Sequence, residues 1–162
     1  EGEELARESV ETLRRRIRLF RLLAGATEGL SPAGLADCLD GMLAHGRVRL
    51  DADGMPAGAT VPAATVPALL SALLLAGEAP PRGGVVALAG DPGGSLMIIP
   101  SGRNAAWPPA LVALLAQGGQ AAEVTPRSVL AHWLRAMADK AGLVPRLVLG
   151  PSGAALLIAR AG

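Results

Sequence analysis

Residues 11–25 read ETLRRRIRLFRLLAG, and their apolar positions Leu13, Ile17, Phe20 and Ala24 fall four, three and four residues apart. Val10 and Ala6 continue the series backward with the same alternation. Steps of three and four keep side chains on one side of an α-helix, and a stripe this narrow is a heptad seam. It predicts a helix over residues 3–24 that needs another helix laid along it. Early glutamates and later arginines suit the two ends of the helix dipole. Glu3–Arg7 and Glu11–Arg15 are i,i+4 pairs in the favourable order, and Gly25 is the expected C-cap.

The 162 residues suit one domain with a helical appendage, and 51% hydrophobic content is enough to build a full core. With two Trp, one Phe and no Tyr, the chain is poorly supplied for stacking nucleic-acid bases. A net charge of +1 favours neither nucleic acid nor an acidic membrane as the main partner. The single cysteine, Cys38, excludes an internal disulfide framework or a zinc cluster, and its apolar neighbours make it a small buried residue. No signal peptide is visible. The longest uncharged stretch, residues 56–77, is interrupted by Pro56, Pro62 and Pro67 and reads as a buried helix rather than a membrane span. A soluble, cytoplasmic protein is expected. The chain begins without Met, which suits a fragment of a longer protein.

Beyond the first helix, SPAGLADCLDGMLAHG (31–46) predicts a second, with Ser31 as N-cap, Pro32 next, Asp37 and Asp40 outward and Gly46 as its stop. RVRLDAD (47–53) alternates as a strand does. TVPALLSALLLAGEA (65–79) predicts a third helix with Thr65 as its cap. VVALAGDPGGSLMIIPSG (85–102) reads as a β-hairpin, strands 85–89 and 95–99 about a turn at 91–94. PPALVALLAQG (108–118) is a short helix, and TPRSVLAHWLRAMADKAG (125–142) a longer one capped by Thr125 and Gly142. Strands at 146–150 and 154–161 close the chain. Hairpins with helices between them predict an α/β sandwich, one mixed sheet carrying helices on one face.

This order, together with RRRIRLFRLLAG (14–25), VRLD (48–51), VPALLSALLLAGEAPPRGG (66–84), VTPRSVLAHWLRAMADKAG (124–142) and the final hairpin, resembles the ATP-binding domain of histidine kinases, the Bergerat or GHKL fold. More narrowly, the chain resembles ChpT-type histidine phosphotransferases. The resemblance implies an α+β fold: residues 1–25 as one helix of a dimerisation hairpin, four such helices forming a bundle in the homodimer, and residues 30–162 as a degenerate GHKL-like sandwich with a mixed sheet. Val10, Leu13, Ile17 and Phe20 become the expected dimerisation residues. Family members take phosphate from the receiver domain of a hybrid kinase onto a histidine of the first bundle helix and hand it to a response regulator. Receiver domains are therefore the implied partners, and no cofactor is implied.

The residues themselves argue against ATP. A kinase of this fold needs an Asn and an acidic residue on the helix at 66–79; here it carries Leu70, Ser71, Ala72, Leu73 and Leu74, with Glu78 near its end. An Asp-x-Gly-x-Gly turn should follow the strand at 95–99, where Pro100, Ser101, Gly102, Arg103 and Asn104 stand. A Gly-rich loop should precede the last long helix, where Thr125, Pro126 and Arg127 stand, and proline lacks a donor for phosphate. The His-Asp pair that phosphotransfer needs is also missing, because the stretch starts where the second bundle helix begins. The first helix is expected upstream of Glu1. A noncatalytic scaffold that binds receivers is the alternative.

No catalytic, cofactor or metal residue is therefore assigned. His45 reads as a C-terminal cap of the second helix. His132 shares a solvated face with Ser128, Arg135 and Asp139, and the two histidines have no metal-ligand spacing. Arg14, Arg15, Arg18 and Arg21, with Leu19 and Leu22, form a candidate docking face for an acidic receiver. The arginines read equally well as a solvated face, and the leucines equally well as a cover for the adjacent sandwich. Trp107 is expected to pin the short helix and Trp133 to fill the core.

Overall fold

In the computed structural model, which describes residues 1–117 and 123–162, the opening stretch is a single helix, α1 (Gly2–Ala24), with Glu3 and Glu4 in its first turn and Arg21 in its last. Gly25 takes the C-cap position, its N–H bonded to the Arg21 carbonyl at 3.1 Å, in extended rather than left-handed backbone. Glu11 and Arg15 pair at 3.6 Å. Glu3 and Arg7 do not, because both side chains stand in water, where ordering them returns little energy.

Helix α2 (Pro32–Leu39) starts as the sequence predicts: Ser31 Oγ accepts the Gly34 N–H at 3.0 Å and Pro32 follows it. It ends at Leu39, well short of Gly46, because Asp40-Gly41 breaks it, Gly41 adopting φ +73°. A 3-10 turn, Leu43–Gly46, comes next, with Ala44 and His45 in left-handed backbone at φ 48° and 57°. A Cβ disfavours that conformation by about 1–2 kcal/mol per residue. Leu43 holds the turn by packing onto Gly77, where an added Cβ would meet its side chain at 3.2 Å. His45 remains exposed and caps nothing on α2, whose last carbonyls lie behind it.

Strand β1 (Val48–Gly54), helix α3 (Val66–Gly77) and strand β2 (Gly84–Gly90) form a parallel crossover that sets Leu50 opposite Val86. Thr65 precedes α3 without making a side-chain cap. The Asp91 carboxylate and carbonyl accept the N–H groups of Gly93 and Gly94, each at 2.9 Å, turning the chain into β3 (Leu96–Ser101). Helix α4 (Pro109–Ala116) follows; the predicted end of this helix at Gly118 lies outside the described residues. Helix α5 (Val129–Ala141) starts later than the predicted Thr125 cap, because residues 125–128 close a turn with Ser128 Oγ accepting the Thr125 N–H at 2.8 Å. Gly142 ends it in left-handed backbone, φ 71°. Strands β4 (Leu143–Gly150) and β5 (Gly153–Arg160) complete a five-stranded mixed sheet of order β1-β2-β3-β5-β4. Pro145 sits on the edge strand, where a missing N–H is tolerated.

One sheet face meets the helices through Val86, Leu88, Leu96, Ile98, Leu156 and Ile158, all buried. Helix α3 lies between the sheet, α5 and α1, and all its residues but Leu74 are buried. That position explains a helix so apolar around its circumference. Its Ser71 hydroxyl donates to the Pro67 carbonyl at 2.7 Å, so the buried polar group is satisfied within the helix. Trp107 is buried and donates its indole N–H to the Ala154 carbonyl at 2.9 Å, pinning the approach to α4 against β5.

Candidate interaction site on the first helix

Helix α1 has two opposed faces with different fates. On one, Leu19 and Leu23 enter the core while Leu22 and Ala26 pack against its edge. Two ion pairs flank this contact: Arg15 Nη1 to Asp40 Oδ2 at 3.1 Å and Arg18 Nη1 to Asp37 Oδ2 at 3.2 Å. Across from them, Trp133 Nε1 donates to the Leu23 carbonyl at 2.9 Å. Trp133 is 36% exposed and does not fill the core; Ala131, Leu134 and Ala138 do that on α5. The indole instead bridges the two helices.

The other face carries the heptad seam. Val10, Leu13, Ile17 and Phe20 are 51, 57, 43 and 65% exposed. They make an exposed apolar stripe on a helix fixed to the sandwich by its opposite side. These exposed side chains follow one line along the helix rather than being scattered over its surface.

The six residues expected to dock a partner divide accordingly. Leu19 is buried at 6% exposure and Leu22 covers the core edge, so these leucines belong to the sandwich. Arg15 and Arg18 are engaged by Asp40 and Asp37 of α2. Arg14 and Arg21 remain exposed, with no ion pair among the described residues. Spacing along α1 could not separate these groups, since the acids that claim Arg15 and Arg18 lie on a different helix.

Elsewhere, a cleft of about 470 Å³ at the end of α3 is bounded by Met42, His45, Arg47, Leu74, Glu78 and Pro80. Partial burial pushes the Glu78 carboxyl above the ordinary carboxylate range. Arg47 is turned onto the backbone, its Nε donating to the Ala44 carbonyl at 3.0 Å. Cys38 is buried, which raises its thiol pKa; the Arg18 charge opposes that rise and Asp37 adds to it. His132 is half-buried rather than solvated, on the α5 turn beside Ala131. Among the described residues, no helix is long and apolar enough to cross a membrane. No three His, Cys, Asp or Glu side chains among them gather as metal ligands.

The mixed five-stranded sheet carries one layer of helices, with α1 seated against that layer. The chain belongs to the histidine phosphotransferase family: residues 32–147 match the family model described as the histidine phosphotransferase C-terminal domain. The α1 helix lies before the matched region. The whole chain also resembles a solved bacterial phosphotransferase, with a TM-score of 0.73 and 21% identity over 96% of this chain and 77% of that one. A looser likeness, TM-score 0.47 at 18% identity, is to the histidine kinase domain of the blue-light activated kinase from Erythrobacter litoralis EL346, over 97% of this chain and 82% of that one. No curated protein matches the sequence.

Proposed function

We propose that this chain is the body of a histidine phosphotransferase that relays phosphate between the receiver domain of a hybrid kinase and a response regulator, working as a homodimer and without ATP. The observation that carries this reading is the exposed seam of Val10, Leu13, Ile17 and Phe20, held outward by Leu19, Leu23 and Trp133. A helix so placed is half of a hairpin, and the phospho-accepting histidine belongs on the other half. The chemistry is nucleophilic: an imidazole nitrogen attacks the phosphorus of a receiver phospho-aspartate, the carboxylate leaves, and a second receiver aspartate later takes the phosphoryl group from the imidazole. Helix α3 supports the absence of ATP, since its middle is buried and carries only Ser71 as a polar group, already bonded to Pro67. The segment 125–128 supports it as well, offering a proline-containing turn where backbone donors would be needed.

The product of the complete reading frame, mixed with a radiolabelled phosphorylated receiver domain, is expected to take up acid-labile label. Residues 1–162 alone are expected to take up none. If the complete product binds the receiver but acquires no label, the protein is a noncatalytic receiver scaffold and the transferase reading fails.

A further inference from the structure

The seam of α1 is flanked unequally. Each of Ala6, Leu13 and Phe20 is followed by an arginine, so Arg7, Arg14 and Arg21 stand one above another along one rim at seven-residue spacing. All three are exposed, and none has an ion pair among the described residues. The opposite rim holds Ser9, Arg16 and Leu23, the residues that precede Val10, Ile17 and Ala24; Leu23 already turns into the sandwich. Neither rim contains a carboxylate. Glu3 stands one turn before Arg7 at the start of the helix without pairing with it; the other glutamates of α1 sit off the rims, and Glu11 is committed to Arg15.

Rim residues of a helical seam face the rims of the neighbouring helix and set which helix is accepted. If two copies of α1 paired antiparallel, Arg7, Arg14 and Arg21 would oppose the same three arginines. If they paired parallel, that column would oppose Ser9, Arg16 and Leu23. Both arrangements leave the cations uncompensated, and like charges on adjacent helices repel.

We propose that the seam of α1 is built to accept an amphipathic helix of different sequence, carrying Asp or Glu at seven-residue spacing along the rim that meets Arg7, Arg14 and Arg21, and that it rejects a second copy of α1 as its immediate neighbour. This rests on the reading of α1 as half of a hairpin and specifies the charge pattern of the other half.

Two synthetic helical peptides with the same Leu/Ile seam, one with Glu and one with Arg on both rims, separate the possibilities when titrated onto the chain by fluorescence anisotropy. At low salt the Glu-rimmed peptide is expected to bind roughly tenfold more tightly or better, from about three complementary pairs replacing three repulsive ones. The gap should narrow at high salt. The triple variant Arg7→Glu/Arg14→Glu/Arg21→Glu should reverse the preference, with circular dichroism confirming an unchanged fold. Equal binding of both peptides, or self-association of the chain as tight as the Glu-rimmed complex, would overturn the proposal while leaving the hairpin intact. Binding of neither peptide would overturn the hairpin reading and this proposal with it.

Discussion

The indole N–H of Trp133 on α5 donates to the carbonyl of Leu23 in the last turn of α1, at 2.9 Å and across 110 residues of sequence. The last four carbonyls of a helix have no partner within it, so this bond satisfies an orphan acceptor and fixes the end of α1 at once. Trp133→Phe keeps the ring packing and removes the donor. It is expected to lower the unfolding free energy by about 1 kcal/mol and to speed hydrogen exchange in the last turns of α1.

Leu19 and Leu13 provide a contrast within one helix. Leu19→Ala opens a cavity in the core and should cost about 2–5 kcal/mol in denaturant unfolding. Leu13 is exposed, so Leu13→Ala in residues 1–162 should fall within about 0.5 kcal/mol of neutral. Equal effects would mean that α1 does not sit on the sandwich by the face described.

The two ion pairs between α1 and α2 can be weighed by double-mutant cycles, Arg18→Ala with Asp37→Asn and Arg15→Ala with Asp40→Asn. Their partners are substantially exposed, so each coupling should be about 0.2–1 kcal/mol and shrink with salt. Packing of Leu19 and Leu23 is therefore expected to outweigh both pairs in holding α1.

Glu78 gives a pH dependence of definite sign. Its carboxyl holds a proton more readily in the folded chain than in the unfolded one, because burial disfavours the charge. Its stabilising contribution is therefore present at low pH and lost as pH rises from the ordinary carboxylate value through the raised folded value. Glu78→Gln removes the charge and should raise the Tm at neutral pH. That advantage should vanish once the pH falls below the ordinary carboxylate value; a Gln variant no more stable at pH 7 would contradict it.

Much of this architecture was legible in local sequence because local physics sets it. The seam of α1 follows from spacing alone, the start of α2 from Ser31 and Pro32, the β2–β3 turn from Asp91 with its glycines, and the end of α5 from Gly142. What escaped the sequence depends on distant partners. Asp37 and Asp40 look like plain outward charges until α1 is laid beside them. Leu19 and Leu22 differ from the seam only by rotation about the helix, and deciding that they face inward requires knowing where the sandwich lies. The early end of α2 was masked because MLAHG continues an apolar pattern, whereas Leu43 uses that pattern to hold a left-handed turn against Gly77. Trp133 was misplaced because an apolar body suggested the core, while its indole donor required an acceptor, found at the end of α1.

The central claim is that the seam of α1 faces the helix on which the chemistry occurs, so that neither His45 nor His132 carries phosphate. The most direct test is to locate the phosphoryl group by mass spectrometry, under conditions that preserve phosphohistidine, after the complete gene product has reacted with a phosphorylated receiver domain. The account predicts a single phosphohistidine outside residues 1–162; phosphate on His45 or His132 would contradict it.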